Sequence, residues 1–276
     1  QKSFLTDWCF LNPKFPDGKE LCDLFVVFDD IALIFQIKDL KLHENGKYKK
    51  SEVEKNLKQI EGARRKLFEL QTPIQLENIK RREENFDSQK IKEVFLMSVL
   101  MGESEYYYSN IEEVKNRKIH TFTRNTIQII LNELDTITDF VKYLREKERF
   151  FSQPRSILSL GEEEELLAFY LSNQRSFQRL EENDFLVIEE GYWKDLQQKP
   201  EFKRRKKEDE ISYLWDYLID QTHLTDSEEY EKVACELARS DRFQRRYLSK
   251  CLLDAKDMAH SKKLRRRMIE GNGVTY

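Results

Sequence analysis

Two apolar runs separated by a pair of aspartates constrain the fold of this chain more than any other feature. Leu24–Phe28 and Ile31–Phe35 are apolar at every position, and Asp29 and Asp30 stand between them. Strands that are apolar on both faces are typical of a sheet that is covered on both sides. Because only two polar residues separate the runs, the connection is expected to be a tight turn. The sequence therefore predicts a buried β-hairpin.

The register of this hairpin brings three polar residues together. A two-residue turn pairs Phe28 with Ile31, and the same register places Asp23 opposite Gln36. Paired residues point to the same side of a sheet, and Lys38 shares that side because strand side chains alternate. Such polar groups are costly against a buried sheet unless they satisfy one another or bind a ligand. A site for a metal ion and a phosphate group would satisfy all three, and a structural ion pair between Asp23 and Lys38 is the alternative.

Further elements are predicted on both sides of the hairpin. Phe4–Leu11 is predicted as a strand that ends in a loop rich in proline. A helix is predicted from Ser51 to Leu70, with Ser51 and Glu54 forming a capping box at its start. Val94–Leu100 is predicted as another buried strand. A helix between two buried strands indicates a parallel crossover.

These residues resemble the core of the PD-(D/E)XK, or restriction-endonuclease-like, superfamily. Its signature is a carboxylate on one strand and (D/E/Q)-x-K on the next, and here Glu20-Leu21-Cys22-Asp23 precedes Phe35-Gln36-Ile37-Lys38. Glutamine in place of the usual acid is a feature of Mrr-like members. The resemblance covers the part of the chain up to Leu100 and implies an α/β fold, with a mixed sheet flanked by helices. The opening helix of that family would precede Gln1.

The resemblance also implies roles for the individual residues. Asp23 would coordinate Mg²⁺ together with the amide oxygen of Gln36 and the backbone carbonyl of Ile37, and Mn²⁺ could substitute. Lys38 would orient the attacking water and stabilise the charge on the phosphorane. Glu20 would add a further carboxylate if the chain bends after Gly18. These roles agree with the preference of Mg²⁺ for hard oxygen ligands and with the compact positive charge of lysine.

A basic segment follows the candidate lysine. Residues 37–66 contain ten Lys or Arg against five acids, so a phosphate backbone could dock there. The candidate nucleic-acid contacts on the predicted helix are Lys55, Lys58, Gln59, Arg64 and Arg65. Gln59 resembles the helical glutamine of RecB-like and resolvase-like relatives. A merely solvated face explains the same pattern, and two later basic runs, 203–207 and 262–267, are alternative docking surfaces.

The rest of the chain favours helices. Ile119–Phe122 is predicted as an edge strand, and apolar residues recur at helical spacing from Asn125, with a break where Asp135 or Thr136 caps a new helix. The best boundary candidate lies near Pro154, which divides the chain into a nuclease domain, residues 1–152, and an all-helical domain, residues 153–276. The predicted role of the second domain is recognition, oligomerisation or the docking of a partner.

Composition excludes several classes of protein. Charged residues make up 36% of the chain and no apolar run approaches the roughly 20 residues that span a bilayer, which predicts a soluble, cytoplasmic protein without a membrane contact. The four cysteines are far apart and lack CxxC spacing, which argues against a zinc site or a disulfide framework. A Gly-rich phosphate loop is absent from the sequence, which excludes an NTPase of that type.

The sequence thus predicts a metal-dependent endonuclease that hydrolyses DNA, and the family resemblance implies a role in bacterial defence against phage. A homo-oligomer or a regulatory protein partner is expected, because two cuts need two sites. The competing hypothesis is a catalytically inactive nuclease fold that serves as a scaffold or a DNA-binding module. The sequence does not distinguish DNA from RNA, and it fixes neither the cleavage specificity nor the activating partner.

Overall fold

A six-stranded mixed sheet, built around the predicted hairpin, organises the fold in the computed structural model. The residues that the structure describes are 4, 7–42, 46, 48–78, 81–102, 111–153, 156–159, 161–180, 185–223, 227–261, 268, 270–271 and 274–275. The strands are β1 (Cys9–Leu11), β2 (Leu24–Phe28), β3 (Ile31–Lys38), β4 (Gln75–Asn78), β5 (Arg81–Asn85), β6 (Glu93–Leu100), β7 (Ile111–Val114), β8 (Arg117–Thr123), β9 (Ser156–Ser159), β10 (Phe185–Ile188), β11 (Glu270–Gly271) and β12 (Val274–Thr275). The helices are α1 (Lys50–Phe68), α2 (Arg124–Glu133), α3 (Ile137–Phe151), α4 (Glu163–Ser172), α5 (Tyr192–Gln198), α6 (Pro200–Asp209), α7 (Tyr213–His223), α8 (Glu228–Ala238) and α9 (Arg242–His260).

The hairpin has the predicted register. Phe28 pairs with Ile31 and Leu24 pairs with Phe35 across antiparallel strands β2 and β3. Asp29 has a φ of 57°, which is the left-handed conformation that tight hairpin turns require. Because the register is unbroken from the turn to Leu24, Asp23 and Gln36 reach the same end of the hairpin.

The sheet has the strand order β1-β2-β3-β6-β8-β7. Strands β3 and β6 are parallel neighbours, and α1 belongs to the crossover between them, as predicted. The strand predicted at Ile119–Phe122 exists as part of β8, but the prediction that it lies at the edge is wrong, because β7 pairs with its outer side. The edge is instead occupied by the short, largely polar β7 strand.

Alternation along β3 sends its side chains into two apolar clusters. Ala32 and Ile34 pack with Leu57 and Ile60 of α1 on one face of the sheet. The odd-numbered residues Leu33 and Phe35 pack on the other face, in a cluster that includes α3 and the later helices. Both faces of the hairpin are therefore covered, which explains why its strands are apolar at every position.

Helix α1 begins differently from the prediction. Its N-cap is Lys49, which makes no side-chain capping hydrogen bond, so the predicted capping box of Ser51 and Glu54 is wrong. The helix starts at Lys50, and Ser51 therefore lies inside the first turn rather than before it. The carboxylate of Glu54 instead lies 4.0 Å from the ammonium of Lys50.

The C-terminal part of the chain is mostly helical, but the prediction that it is all-helical is wrong. Strands β9 and β10 form a parallel pair between the helices, and β11 and β12 form a small antiparallel pair. The predicted boundary after residue 152 falls between α3 and β9, yet one apolar cluster continues across it, joining Phe140 of α3 to Leu167, Trp215 and Leu248. Within the described ranges, no helix has the length and apolar character to cross a membrane.

The buried His120 on β8 should make stability depend on pH. Its ring is fully buried, its Nε2 lies 3.0 Å from Oε1 of Glu148, and burial lowers its pKa from 6.5 to about 4. The unfolded chain therefore binds a proton near pH 6.5, whereas the folded chain binds it only near pH 4, so stability falls as the pH drops through this window. Between pH 7.5 and 4.5, we expect wild type to lose about 2 to 3 kcal/mol more than a His120→Gln variant does.

Urea unfolding of both proteins at the two pH values measures this difference. The pKa of Glu164, which burial raises to about 7, acts in the opposite direction, because a carboxyl with a raised folded pKa loses its contribution as the pH rises. That effect is common to both proteins and cancels in the comparison. Equal losses of stability in the two proteins would show that His120 takes up its proton at about the same pH in the folded chain as in the unfolded chain.

Candidate functional site

The candidate site lies at the open end of the β2–β3 hairpin. One carboxylate oxygen of Asp23, Oδ2, accepts a hydrogen bond of 2.6 Å from Nε2 of Gln36 and another of 2.6 Å from the backbone N–H of Ile37. The pairing of Asp23 with Gln36 that the hairpin register predicts is thus present. Both bonds use the same oxygen and fix the orientation of the carboxylate, while no described residue is bonded to the other oxygen, Oδ1.

Lys38 lies on the same face of the sheet as Gln36. Positions 32 and 34 of β3 face α1, so alternation places positions 36 and 38 on that face as well. The Lys38 side chain is half-buried, and its ammonium has no carboxylate within 4 Å among the residues that the structure describes. The alternative of a structural Asp23–Lys38 ion pair is therefore not what this structure contains.

The backbone around Lys38 is anchored to the end of β6. The N–H of Met101 donates to the carbonyl of Lys38 at 2.9 Å, and the hydroxyl of Tyr48 donates to the carbonyl of Gly102 at 2.5 Å. A Cβ atom at position 102 would lie 2.5 Å from the carbonyl oxygen of Leu40, so only glycine fits this close approach. The loop after β3 is thus held against the neighbouring strand, which limits where the Lys38 side chain can reach.

A row of buried polar residues continues from Gln36 across the sheet, and the sequence predictions missed it. Gln36 is the register partner of Ser98, and Ser98 is the register partner of Thr121. Asn56 of α1 is fully buried above this row, and its Nδ2 donates to Oγ of Ser98 at 2.8 Å. Neither Oδ1 of Asn56 nor Oγ1 of Thr121 has a partner within the described part of the chain.

A signal for Asn56 was present in the sequence. It lies on the apolar face of the helix, three residues after Val53 and four before Ile60, where a polar side chain must find a buried partner. The predicted helical glutamine, Gln59, is instead exposed. The residue of α1 that reaches toward the candidate site is therefore Asn56.

The other predicted residues fall into two groups. Lys55, Lys58 and Arg65 are exposed on α1, and we call them the α1 basic stripe. Arg64 is only 7% exposed and bonds to the carboxylate of Glu69, with Glu61 at 3.8 Å. Its positive charge is therefore balanced within the fold. Arg64 is thus buried and ion-paired on α1, unlike the three exposed residues of the stripe.

Glu20 stays outside the candidate site. It is exposed and forms an isolated bridge with Lys14 in the loop before β2. The amide of Asn12, with its nitrogen facing the acceptors, donates to Oε1 of Glu20 at 2.9 Å and to the backbone carbonyl of Asp23 at 3.1 Å. Among described residues, Glu20 makes no hydrogen bond or ion pair with the side chains of Asp23, Gln36 or Lys38, so its carboxylate is not part of the site.

The donor set fits Mg²⁺ in kind but supplies a single negative charge. Asp23 offers its free Oδ1, Gln36 its amide oxygen and Ile37 its backbone carbonyl, and all three are the hard oxygen donors that Mg²⁺ prefers. No group of three or more His, Cys, Asp or Glu suited to a metal ion occurs in the ranges the structure covers. A metal bound here would need further oxygens from water or from a substrate phosphate.

Comparisons with known proteins give no match. No protein-family model, no curated protein and no solved structure matches this chain. The candidate site is therefore defined by its own geometry: one oriented carboxylate, one amide and one unpaired ammonium at the end of a buried hairpin, all among the residues that the structure describes.

Proposed function

We propose that this chain is a metal-dependent nuclease that hydrolyses phosphodiester bonds in DNA, with a site of the PD-(D/E)XK type in its QxK form. The observation that carries the proposal is the Asp23 carboxylate, oriented by hydrogen bonds from Gln36 and from the backbone of Ile37, at the end of β3 where Lys38 shares the face of Gln36. The strand order around the site, with three antiparallel strands followed by a helix and a parallel strand, supports it.

The position of the site in the sheet also supports a binding function. Ligands of open α/β sheets bind beyond the carboxyl ends of the strands, where successive crossovers leave to opposite faces. Here α1 follows β3 and packs on one face, whereas α2 and α3 follow β8 and line the other. A cavity of about 490 Å³ lies at the carboxyl ends of β6 and β8, and its lining includes Arg124, Asn125, Gln128 and Glu162. Met101, which also lines it, donates its backbone N–H to the carbonyl of Lys38. We assign this cavity to the nucleotides next to the scissile bond.

The side chains would divide the chemistry between them. Asp23 and Gln36 would hold the metal ion, which supplies Lewis acidity and lowers the pKa of a bound water. The two hydrogen bonds to Oδ2 of Asp23 fix the orientation of the carboxylate and leave Oδ1 available to a metal ion. Lys38 would place its ammonium next to the phosphate and stabilise the negative charge that develops in the transition state. Asn56 and Ser98 would fix the neighbouring strand position against α1.

Cleavage of plasmid DNA tests the proposal directly. Purified protein is incubated with supercoiled plasmid and either Mg²⁺ or Mn²⁺, with EDTA in the control. We expect nicking or linearisation only with the metal ion. Because one carboxylate binds a metal weakly, activity should rise over a millimolar range of metal concentration and depend on the presence of substrate.

A second candidate function, that of an inactive nuclease fold that binds DNA as a scaffold, is favoured by one specific observation. The described residues place a single carboxylate at the site, and its Oδ2 is already engaged by Gln36 and Ile37. Retention of plasmid in a gel-shift assay, with no cleavage under either metal or on an RNA substrate, would support the scaffold and overturn the nuclease.

The α1 basic stripe should contribute to binding rather than to cleavage chemistry. Replacing Lys55, Lys58 and Arg65 with glutamine should weaken DNA binding and reduce the slope of log affinity against log salt by about 0.9 for each phosphate that the protein no longer neutralises. Arg64 is left unchanged because it is buried and bonded to Glu69. Fluorescence anisotropy of a labelled duplex over a range of salt concentrations measures the slope.

A variant of equal charge serves as the control. Lys203, Arg204 and Lys207 are exposed on α6, and their replacement with glutamine removes the same three charges at another surface. We expect this control to keep the wild-type slope. If the slope falls in the α6 variant but not in the α1 variant, the docking surface is the run at 203–207. The other predicted run, 262–267, lies outside the described residues.

A further inference from the structure

A second cavity lies at the end of the sheet opposite the candidate site, with α1 residues on one side and Lys118 and Glu148 of the α3 side on the other. Its volume is about 450 Å³, which is within the range of small-molecule sites. It opens where β6 and β8 begin, at Glu93 and Arg117, whereas Gln36 and Lys38 lie at the far end of β3. It is therefore distinct from the proposed nuclease site.

The two walls of this cavity differ in chemistry. The apolar wall consists of Phe68, Ile91, Val94 and Leu96. The polar wall consists of Arg64, Lys92, Asn116, Arg117, Lys118 and Glu148. The tight turn between β7 and β8, in which Lys115 and Asn116 have φ values of 50° and 60°, sets Arg117 at the cavity rim. A ligand that fills the cavity must present an apolar body to one wall and negative charge to the other.

Among the described residues, one cation at the cavity, Arg117, has no carboxylate within 4 Å, although its charge acts on Glu69 from further away. Lys92 pairs with Asp30 at 2.9 Å, and Lys118 lies 3.8 Å from a carboxylate oxygen of Glu148. Glu61 lies within 4 Å of both Arg64 and Lys115, and Glu69 forms an ion pair with Arg64. Arg117 is also exposed. Its guanidinium, with five N–H donors, is free for an anion.

Arg64 adds an unsatisfied donor next to Arg117. Its side chain borders the cavity and is more than nine-tenths buried, yet its Nε–H has no acceptor within the described part of the chain. A buried guanidinium nitrogen without an acceptor is costly, and a phosphate oxygen would supply one. Arg64 and Arg117 both line the cavity, and each guanidinium carries the planar fork of donors that matches a phosphate group.

We propose that this cavity binds a mononucleotide, with its phosphate between Arg64 and Arg117 and its base against the apolar wall that contains Phe68. The volume admits one nucleotide, Arg117 and the unsatisfied Nε–H of Arg64 match a phosphate, and the apolar wall with the Phe68 ring suits a base. This binding is independent of the proposed nuclease activity. The location at the opposite end of the sheet makes the ligand an effector rather than a substrate.

Isothermal titration of the full chain with AMP tests the proposal, with adenosine and inorganic phosphate as separate probes. We expect AMP to bind and each of the two fragments to bind at least about tenfold more weakly, because each reaches only one wall. Replacing the exposed Arg117 with alanine should weaken AMP binding by about tenfold or more without affecting the fold, which a thermal melt checks.

The matched variant is Arg204→Ala, which removes an exposed arginine of α6 that lines neither cavity. We expect this variant to bind AMP as wild type does. Loss of AMP affinity in a further variant, Arg124→Ala, but not in Arg117→Ala would place the nucleotide in the proposed substrate cavity, which Arg124 lines, and overturn the inference. Absence of AMP binding to the wild type, or equal affinity for inorganic phosphate and AMP, would also overturn it.

Discussion

Replacing Lys38 with alanine should lower the rate of metal-dependent DNA cleavage by about 10²- to 10³-fold, the decrease typical when one group that stabilises transition-state charge is removed. Lys38 is a half-buried residue whose ammonium makes no ion pair among the described residues, and it lies on the face that carries the oriented Asp23 carboxylate. Its removal breaks no ion pair of the described fold, so stability should change little. Initial rates of plasmid nicking under single-turnover conditions measure the decrease.

Lys41→Ala is the matched control, because Lys41 is exposed three residues beyond Lys38 and follows the end of β3. It should keep the wild-type rate at moderate salt. If Lys38→Ala and Lys41→Ala cleave at the same rate, the observed cleavage does not use the proposed site. A contaminating nuclease would produce that outcome too, and a second purification of both variants separates the two explanations.

Asp23→Asn separates binding from turnover at the same site. The substitution removes the single carboxylate that would hold the metal, so turnover should be abolished. DNA affinity measured in EDTA should be kept or should rise, because a negative charge near phosphate is gone. A large decrease of affinity in EDTA would mean instead that the two hydrogen bonds from Gln36 and Ile37 to Asp23 are needed to hold the hairpin end.

The part of the site that the sequence predicted is the part that local geometry determines. The two-residue turn fixes every pair in the hairpin, so the meeting of Asp23 and Gln36 follows from the turn and the alternation of strand side chains. The crossover from β3 to β6 was also predictable, since parallel neighbours require a long connection and α1 has a clear amphipathic pattern.

What the sequence did not predict depends on contacts between distant segments. Arg64 and Arg65 are adjacent and equally basic, but only the packing of α1 decides that the first is buried beside Glu69 and the second is exposed. Strand β8 was placed at the edge because the four-residue β7, with two glutamates, carries little apolar signal. The buried position of Asn56 is explained by its hydrogen bond to Ser98, which lies 42 residues further along the chain.

One buried ion pair spans the predicted domain boundary at residue 152. It offers the most sensitive test of whether the two sides of that boundary unfold together. Lys147 of α3 and Glu163 of α4 are both fully buried, and Nζ of Lys147 donates to Oε2 of Glu163 at 2.7 Å. The hydroxyl of Tyr143 donates to the other oxygen at 2.6 Å. Burial lowers the pKa of Lys147 and raises the pKa of Glu163, while each charge opposes the shift of the other.

Lys147→Met should destabilise the protein by about 3 to 5 kcal/mol, because it leaves the Glu163 carboxylate buried without its counter-charge. The double variant Lys147→Met, Glu163→Gln should recover most of this stability, since the glutamine oxygen still accepts from Tyr143 and no charge stays buried. The surface variant Lys232→Met is the control: Lys232 pairs with Glu228 at 2.9 Å, but both side chains are at least 71% exposed. Its cost should stay below about 1 kcal/mol.

The shape of the unfolding curve then decides how the two sides of residue 152 are related. The apolar cluster that joins Phe140 to Leu167 and Leu248 predicts that Lys147→Met shifts a single cooperative transition in urea, followed by far-UV circular dichroism and by tryptophan fluorescence. The fluorescence comes from Trp8, Trp193 and Trp215, and Trp8 itself bonds to Glu231 of α8, so fluorescence reports mainly the helical side and circular dichroism the whole chain. If circular dichroism and fluorescence give different unfolding midpoints in the variant, residues 1–152 and 153–276 unfold as independent units. The ion pair between Lys147 of α3 and Glu163 of α4 would then be what couples them in the wild type.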